Sequence, residues 1–122
     1  MASNYRDLLV WRKAKALAVG VYKATEGFPE HERFGLTNQM RRSAVSVPSN
    51  IAEGQGRGTR PDFANFLRVA RGSLQELETQ IDIAIDLGFG DGSELARLHH
   101  DCFQILGLLN RLLQAINSKT KA

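Results

Sequence analysis

The side chains of this 122-residue sequence that best suit a defined chemistry are arginines, which recur through its middle. A guanidinium group can hold a phosphate through two hydrogen bonds, and the backbone N–H groups of a glycine-rich loop add further donors. A glycine-rich stretch, residues 54–58, lies among these arginines. The pattern favours a surface that binds nucleic acid. The candidate contacts are Lys13, Arg41, Arg57, Arg60 and Arg68.

A second interpretation places part of the same chemistry inside the fold, as a polar network between helices. Arg42 or Arg71 would then pair with a carboxylate, and the pairing would remove the cation from any binding surface. The carboxylates considered for this pairing are Glu53, Glu76 and Glu78. From the residues alone the two interpretations stay open. The candidate network residues are Arg42, Asn50, Glu53, Arg71, Ser73 and Glu76.

The sequence offers no other constellation that is typical of an enzyme. The glycines in residues 54–58 lack both the Lys-Ser/Thr ending of a phosphate-binding loop and the spacing of a dinucleotide-binding loop. No serine stands beside an evident base. His99 and Cys102, with His31 as a distant third, are too few for a zinc site. We therefore expect no catalytic residue, no metal and no cofactor.

Charge is distributed unevenly along the sequence. The net charge is +3, but residues 1–71 hold 12 Lys or Arg against 6 Asp or Glu, whereas residues 72–122 hold 4 against 7. Such an asymmetry indicates either an anionic partner or contacts between unlike faces of subunits. With one cysteine, no apolar run of membrane-spanning length and no signal-peptide pattern, we expect a cytoplasmic protein without a membrane partner.

Apolar periodicity predicts four helices, which form one domain over residues 1–122. In the first helix, Trp11 belongs to the apolar stripe, which favours a core position over a base-stacking role. Gly54 suits the left-handed conformation that ends a helix, so we expect the second helix to end at Glu53, with a kink near Pro48. The predicted helices are residues 5–25, 35–53, 60–87 and 93–117.

The third and fourth helices have the clearest boundary signals. Thr59, followed by Pro61 and Asp62, is typical of a helix start, and Ser93 is the expected cap of the fourth helix. Gly72 falls in the middle of the third helix, where we expect it to permit a close helix crossing. Four helices with short connections predict an all-α fold, an antiparallel up-down-up-down four-helix bundle.

Three stretches of the sequence resemble one protein family. They read LxVWRKA from Leu8, FPxxERFGLxxQMRRSAxSVPxNIAEGxGR from Phe28, and FLxxARGSLxELETQ from Phe66. The sequence is similar to the bacterial four-helix-bundle proteins encoded in intervening sequences of 23S ribosomal RNA genes, which are related to the accessory proteins of diversity-generating retroelements. The family's motif positions match Arg41, Arg42, Asn50, Glu53, Gly54, Gly56, Arg57, Arg71, Gly72, Ser73 and Glu76.

The resemblance implies a homopentamer of four-helix bundles and an RNA- or nucleoprotein-related role, with no established catalytic residue. Apolar residues off the predicted core stripes also favour self-association, namely Val45, Phe103 and Leu108. We therefore expect a non-enzymatic oligomer that presents a basic surface to RNA or to a nucleic-acid-processing protein. The alternative is a protein-binding scaffold without a nucleic-acid role, whose arginines serve ion pairs between helices or subunits.

Overall fold

Four α-helices form the molecule in a computed structural model that describes residues 4–121, with side chains described for residues 4–118. Each helix packs against its neighbours in chain order, and α1 also packs against α4. This arrangement confirms the predicted all-α, up-down-up-down four-helix bundle. The helices are α1 (Leu9–Thr25), α2 (Leu36–Gly56), α3 (Arg60–Leu87) and α4 (Gly92–Lys121), and two 3₁₀ turns lie at Tyr5–Asp7 and Glu30–Glu32.

The core is one continuous apolar seam along the bundle axis. Each helix contributes residues spaced three or four apart, because this spacing keeps side chains on one face of a helix. The seam spans the length of the bundle, so its packing fixes the four helices relative to one another. Fully buried members of the seam include Leu17, Met40, Leu74, Ile81 and Leu109.

The first helix begins later than the sequence predicts. Asn4 caps the short 3₁₀ turn instead, since its Oδ1 accepts a 2.7 Å hydrogen bond from the Arg6 backbone N–H. Leu8 then adopts an extended conformation, with φ −79° and ψ 124°, which separates this turn from α1. The turn packs against both α1 and α2, so Arg6 lies at the end of the bundle where α1 begins.

The second helix runs past Gly54, so the predicted cap at this glycine is wrong. α2 continues to Gly56, and the left-handed residue of the connection is Gly58, with φ +84°. Gly54 is buried inside the helix, where a Cβ atom would lie 2.6 Å from the Cβ of Phe66 and 3.2 Å from Cδ1 of Phe63. Its role is therefore to let α2 and α3 approach closely.

The close crossing expected at Gly72 is also wrong. Gly72 is exposed, and a Cβ atom built there would have no described neighbour within 4 Å. Besides Gly54, close approach occurs at Gly20, where a Cβ would lie 2.8 Å from Cδ2 of Leu98 on α4. α2 remains helical through Pro48.

The third helix has the boundaries that the sequence predicts, whereas the fourth differs at both ends. Thr59 accepts a hydrogen bond from the Asp62 backbone N–H, and Gly88 ends α3 with φ +73°. Asp91 replaces Ser93 as the cap of α4, because its Oδ1 accepts from the backbone N–H groups of Ser93 and Glu94. The hydrogen bond from the Ser93 hydroxyl, together with these two backbone bonds, lowers the pKa of Asp91. In the middle of α4, Leu108 is half-buried rather than exposed.

Candidate nucleic-acid interface

Eight of the 14 basic side chains that the structure describes lie at one end of the bundle. Because the helices alternate in direction, the α2–α3 connection lies at the same end as the start of α1 and the second half of α4. Arg71 Nη1 donates to Asn110 Oδ1 over 3.0 Å, and Lys13 lines one open depression with Arg111, so α3, α4 and α1 meet there. We call this region the basic end. It contains Arg6, Arg12, Lys13, Arg57, Arg60, Arg68, Arg71 and Arg111.

The opposite end of the bundle carries mainly carboxylates, and we call it the acidic end. It consists of the α1–α2 connection, the end of α3 and the start of α4. The charge asymmetry of the sequence thus becomes a separation of charge along the bundle axis. The acidic side chains near the basic end are Asp7, Glu53 and Asp62. Those of the acidic end are Glu26, Glu30, Glu32, Asp82, Asp86, Asp91 and Glu94, interspersed with Lys23, Arg33, Arg41, Arg42 and Arg97.

Arg57, one of the candidate contacts, is held in a local ion pair. Its Nη2 donates to Glu53 Oε2 over 2.6 Å, and its guanidinium lies 5.0 Å from the ring centroid of Phe66. The hydrogen bond and charge of Glu53 raise the pKa of Arg57 above its ordinary value. The side chain is 53% exposed, so a phosphate can reach it, but the carboxylate already offsets much of its charge.

Three other arginines of the basic end carry charge that no carboxylate offsets among residues 4–118. Arg68 Nη1 donates to the neutral amide oxygen of Asn65 over 2.9 Å, and Arg71 donates to Asn110 in the same way. Arg60 is exposed and has no polar partner within that range. These guanidinium groups keep their positive charge and part of their donor capacity for an anion.

Lys13 lies on the side of the basic end formed by α1 and α4. Together with Arg111 it lines an open depression of about 450 Å³ on the outer surface of α4, which also includes the exposed ring of Phe103. Both cations are exposed. The structure therefore brings Lys13 into the same half of the molecule as Arg68 and Arg71.

Arg41 lies away from the other candidate contacts. Its Nε donates to Thr25 Oγ1 over 2.9 Å and its Nη2 to the carbonyl oxygen of Tyr22 over 3.3 Å, while the guanidinium stacks 4.7 Å from the Tyr22 ring centroid. Arg41 thus joins α2 to the last turn of α1, where a cation interacts favourably with unpaired carbonyl groups. The structure does not bring it together with Arg57 and Arg60.

A line of hydrogen bonds joins α2 to α3. Ser43 Oγ donates to Glu76 Oε1 over 2.9 Å, and Ser46 and Ser73 share a bond of 2.8 Å. Asn50 Nδ2 donates to the carbonyl and hydroxyl oxygens of Ser46 over 2.8 and 2.9 Å. The network predicted from the sequence did not include Ser43 and Ser46. Ser46 and Asn50 follow Ser43 by three and seven residues, which places all three on one helix face.

The other predicted network residues do not join this line. Glu53 pairs with Arg57, and Arg71 bonds to Asn110. Arg42 is exposed and makes no polar contact within residues 4–118. The alternative pairing of Arg42 or Arg71 with Glu53, Glu76 or Glu78 is therefore absent from the side chains that the structure describes.

The residues considered for metal binding have ordinary structural surroundings. His99 Nε2 lies 3.2 Å from Asp82 Oδ1 and 3.8 Å from Glu78 Oε2, between α3 and α4. Burial raises the pKa of the Cys102 thiol to about 12, with the nearby acidic charges adding to the shift. In the described part of the chain, no three or more His, Cys, Asp or Glu side chains are arranged to hold a metal ion. Nor does any described helix have the length and apolar character needed to cross a membrane.

Trp11 packs partly against the core, as its place in the apolar stripe predicts. Its ring meets Tyr5 edge-to-face at 5.0 Å between centroids, and Lys15 Nζ lies 5.5 Å from its centroid. These contacts fix the ring between the 3₁₀ turn and α1.

Comparison with known proteins agrees with the resemblance found in the sequence. The family model described as "23S rRNA-intervening sequence protein" matches residues 6–111. A crystal structure at 1.70 Å of a protein of unknown function from the S23 ribosomal protein family of Bacteroides thetaiotaomicron superposes with a TM-score of 0.77. The two chains are 26% identical, and the match covers 86% of this chain and 98% of the other. No curated protein matches the sequence significantly.

Proposed function

Because the chain belongs to the family of 23S rRNA-intervening sequence proteins, we propose that it is a non-enzymatic, self-associating bundle that binds RNA through its basic end. The observation that carries this proposal is the set of cations at the basic end that lack a carboxylate partner among the described residues, with Arg60, Arg68 and Arg71 at its centre. The proposal includes a ring of five copies, as the family resemblance implies. It also includes a cytoplasmic location, since the single cysteine fits a reducing compartment.

Phosphate recognition follows from the chemistry of these side chains. Each cation that neutralises a phosphate releases condensed counterions, which makes RNA binding favourable and sensitive to salt. An arginine that is already paired, such as Arg57, contributes less, because binding must compete with Glu53. The largest contributions are therefore assigned to Arg60 and Arg68, which are both exposed. Contacts of this kind set affinity and not sequence preference.

The test is a salt titration of binding to a fluorescent single-stranded RNA, followed by anisotropy. Changing both Arg60 and Arg68 to alanine removes two phosphate contacts, so the slope of log K against log salt concentration falls by about 1.4. The matched control is Arg33→Ala together with Arg97→Ala at the acidic end, which removes the same charge and leaves the slope unchanged.

Two results would contradict the proposal. One is the absence of RNA binding by the wild-type protein at low salt. The other is an equal loss of slope in the control pair, which would mean that net charge and not the basic end drives binding. Self-association is tested separately by light scattering, where a mass near 13.5 kDa at micromolar concentration would exclude an oligomer.

A second candidate is a scaffold that binds only protein. The observation that favours it is an apolar groove on the outer side of α1 and α2, lined by Val19, Tyr22 and Val45. A scaffold of this kind binds its partner through apolar burial, so the affinity changes little with salt. Salt-insensitive capture of a protein together with no RNA binding would favour the scaffold.

A further inference from the structure

The outer surface of α1 and α2 carries the apolar groove in an otherwise charged neighbourhood. Its volume is about 440 Å³, and its apolar lining includes Val19, Tyr22, Val45 and Pro48. Val19, Tyr22 and Val45 are 46%, 44% and 41% exposed. We call this surface the α1–α2 groove. Contiguous exposed apolar side chains of this kind mark contact surfaces.

The α1–α2 groove is bordered by positive charge. Lys15 and Lys23 belong to its lining, which contains no acidic residue. The two lysines are eight positions apart on α1, which places them about 12 Å apart along the helix, with Val19 midway. A partner that fits the groove therefore presents apolar side chains between two negative charges.

The final turns of α3 offer this complementary pattern. Ile83 and Leu87 are 44% and 57% exposed and lie one turn apart on the outer face of the helix. Glu76, whose Oε1 accepts a hydrogen bond from Ser43, lies on the same face seven residues before Ile83. Asp86 lies three residues after Ile83 and directly before Leu87. The two carboxylates are about 15 Å apart along α3, close to the separation of the two lysines. We call this surface the α3 ridge.

We propose that the α3 ridge of one copy docks into the α1–α2 groove of a second copy. The inference rests on the self-association in the proposed function and assigns the surfaces that form it. Ile83 meets the apolar lining at the centre of the contact, between Glu76 and Asp86, and these two carboxylates face Lys15 and Lys23. Because groove and ridge are different surfaces, each copy keeps one of each available, so the contact continues from copy to copy until a ring closes.

The test uses two variants that each block one surface. Val45→Arg places a charge in the groove, and Ile83→Arg places one on the ridge, so each variant alone is monomeric by light scattering. An equimolar mixture forms a dimer of about twice 13.5 kDa and nothing larger, because the intact ridge of one variant fits the intact groove of the other. Dimer formation in the mixture also demonstrates that both variants are folded, and circular dichroism of each gives a second check.

Phe103→Arg is the matched control, because Phe103 is 67% exposed on α4 and outside both surfaces. The control keeps the mass of the wild-type assembly. The inference is overturned if either blocking variant keeps that mass, if the mixture stays monomeric, or if the control alone dissociates.

The two proposals fail in different ways. A monomeric wild-type protein overturns both the assembly in the proposed function and the docking of ridge into groove. If the wild-type protein assembles but does not bind RNA, the RNA role is overturned and the docking stays supported. Salt-dependent RNA binding by an assembly that Val45→Arg and Ile83→Arg do not change overturns the docking alone.

Discussion

The α2–α3 and α1–α4 interfaces are built in different ways. At the α2–α3 interface, Gly54 brings the two helices into close contact, and hydrogen bonds join Ser43 to Glu76 and Ser46 to Ser73. At the α1–α4 interface, Gly20 meets only the flexible end of Leu98, and an open space of about 150 Å³ remains between the helices.

The difference indicates which pair of helices fixes the geometry of the molecule. Hydrogen bonds between side chains demand a particular register, whereas apolar contacts tolerate small shifts. The α2–α3 pair thus positions the basic end through its short connection at residues 57–59. The α1–α4 side can adjust to it. Four substitutions, compared by urea unfolding at one protein concentration, test this contrast.

The largest effect is expected for Gly54→Ala. The new Cβ would lie 2.6 Å from the Cβ of Phe66 and 3.4 Å from the Phe63 carbonyl oxygen, and neither atom can move without shifting α3. Overpacking outweighs the gain from removing a helical glycine, so the free energy of unfolding falls by about 2 kcal/mol. An unchanged or raised stability would mean that α2 and α3 are less tightly coupled than the structure indicates.

Ser46→Ala is expected to cost about 1 kcal/mol, because it removes the hydrogen bonds to Ser73 and Asn50 in a half-buried position. Ser49→Ala is the control, since Ser49 is exposed on the same helix. Equal effects of the two substitutions would mean that the hydrogen bonds between α2 and α3 do not fix the register of these helices. A double-mutant cycle with Ser73→Ala isolates the energy of the shared bond.

Gly72→Ala is expected to stabilise the protein by up to about 1 kcal/mol, because alanine favours the helix and meets no described atom within 4 Å. The effect is measured at a concentration where light scattering gives the mass of a single chain. A loss of stability in the monomer would show that α3 has a close neighbour at this position.

Gly20→Ala is expected to change stability least, by less than about 0.5 kcal/mol. The gain in helix propensity and the cost of moving Leu98 Cδ2 nearly cancel, since a leucine methyl group can rotate away. If the free energy of unfolding fell as much as for Gly54→Ala, the two interfaces would be equally rigid, which would contradict the difference inferred between them.

Much of the fold could be predicted from local sequence signals. The start of α3 follows from Thr59 and Pro61, and its end from Gly88, because these residues act on their own backbone. The bundle itself follows from apolar spacing. These features depend on residues close together in the chain, which a sequence displays directly.

Features that depend on a second helix could not be predicted in the same way. In the sequence, Gly54 resembles a glycine that ends a helix, but its role is set by Phe63 and Phe66 across the interface. Gly72, in the middle of a helix, resembles a glycine at a close helix crossing, yet no described residue approaches it. A glycine that ends a helix and one that admits a neighbour look alike until the neighbour is known.

The residue types of the candidate site could be predicted from the sequence, but their hydrogen-bond and ion-pair partners could not. The clustering of arginine in the sequence draws attention to Arg60 and Arg68, and the structure shows that both are exposed. The sequence does not reveal that Arg41 bonds to Thr25, or that Arg57 is paired with Glu53, because partner choice depends on side-chain geometry.

The opposite charges at the two ends give each bundle a permanent electric dipole moment along its long axis. In the field of a polyanion, such a molecule experiences a torque that turns its positive pole forward before any contact forms. Because α3 alone is about 42 Å long, the charges at the two ends are far apart, and the orientation is selected early in diffusion. Ionic strength would then act on the rate of encounter in addition to its effect on the phosphate contacts of the complex.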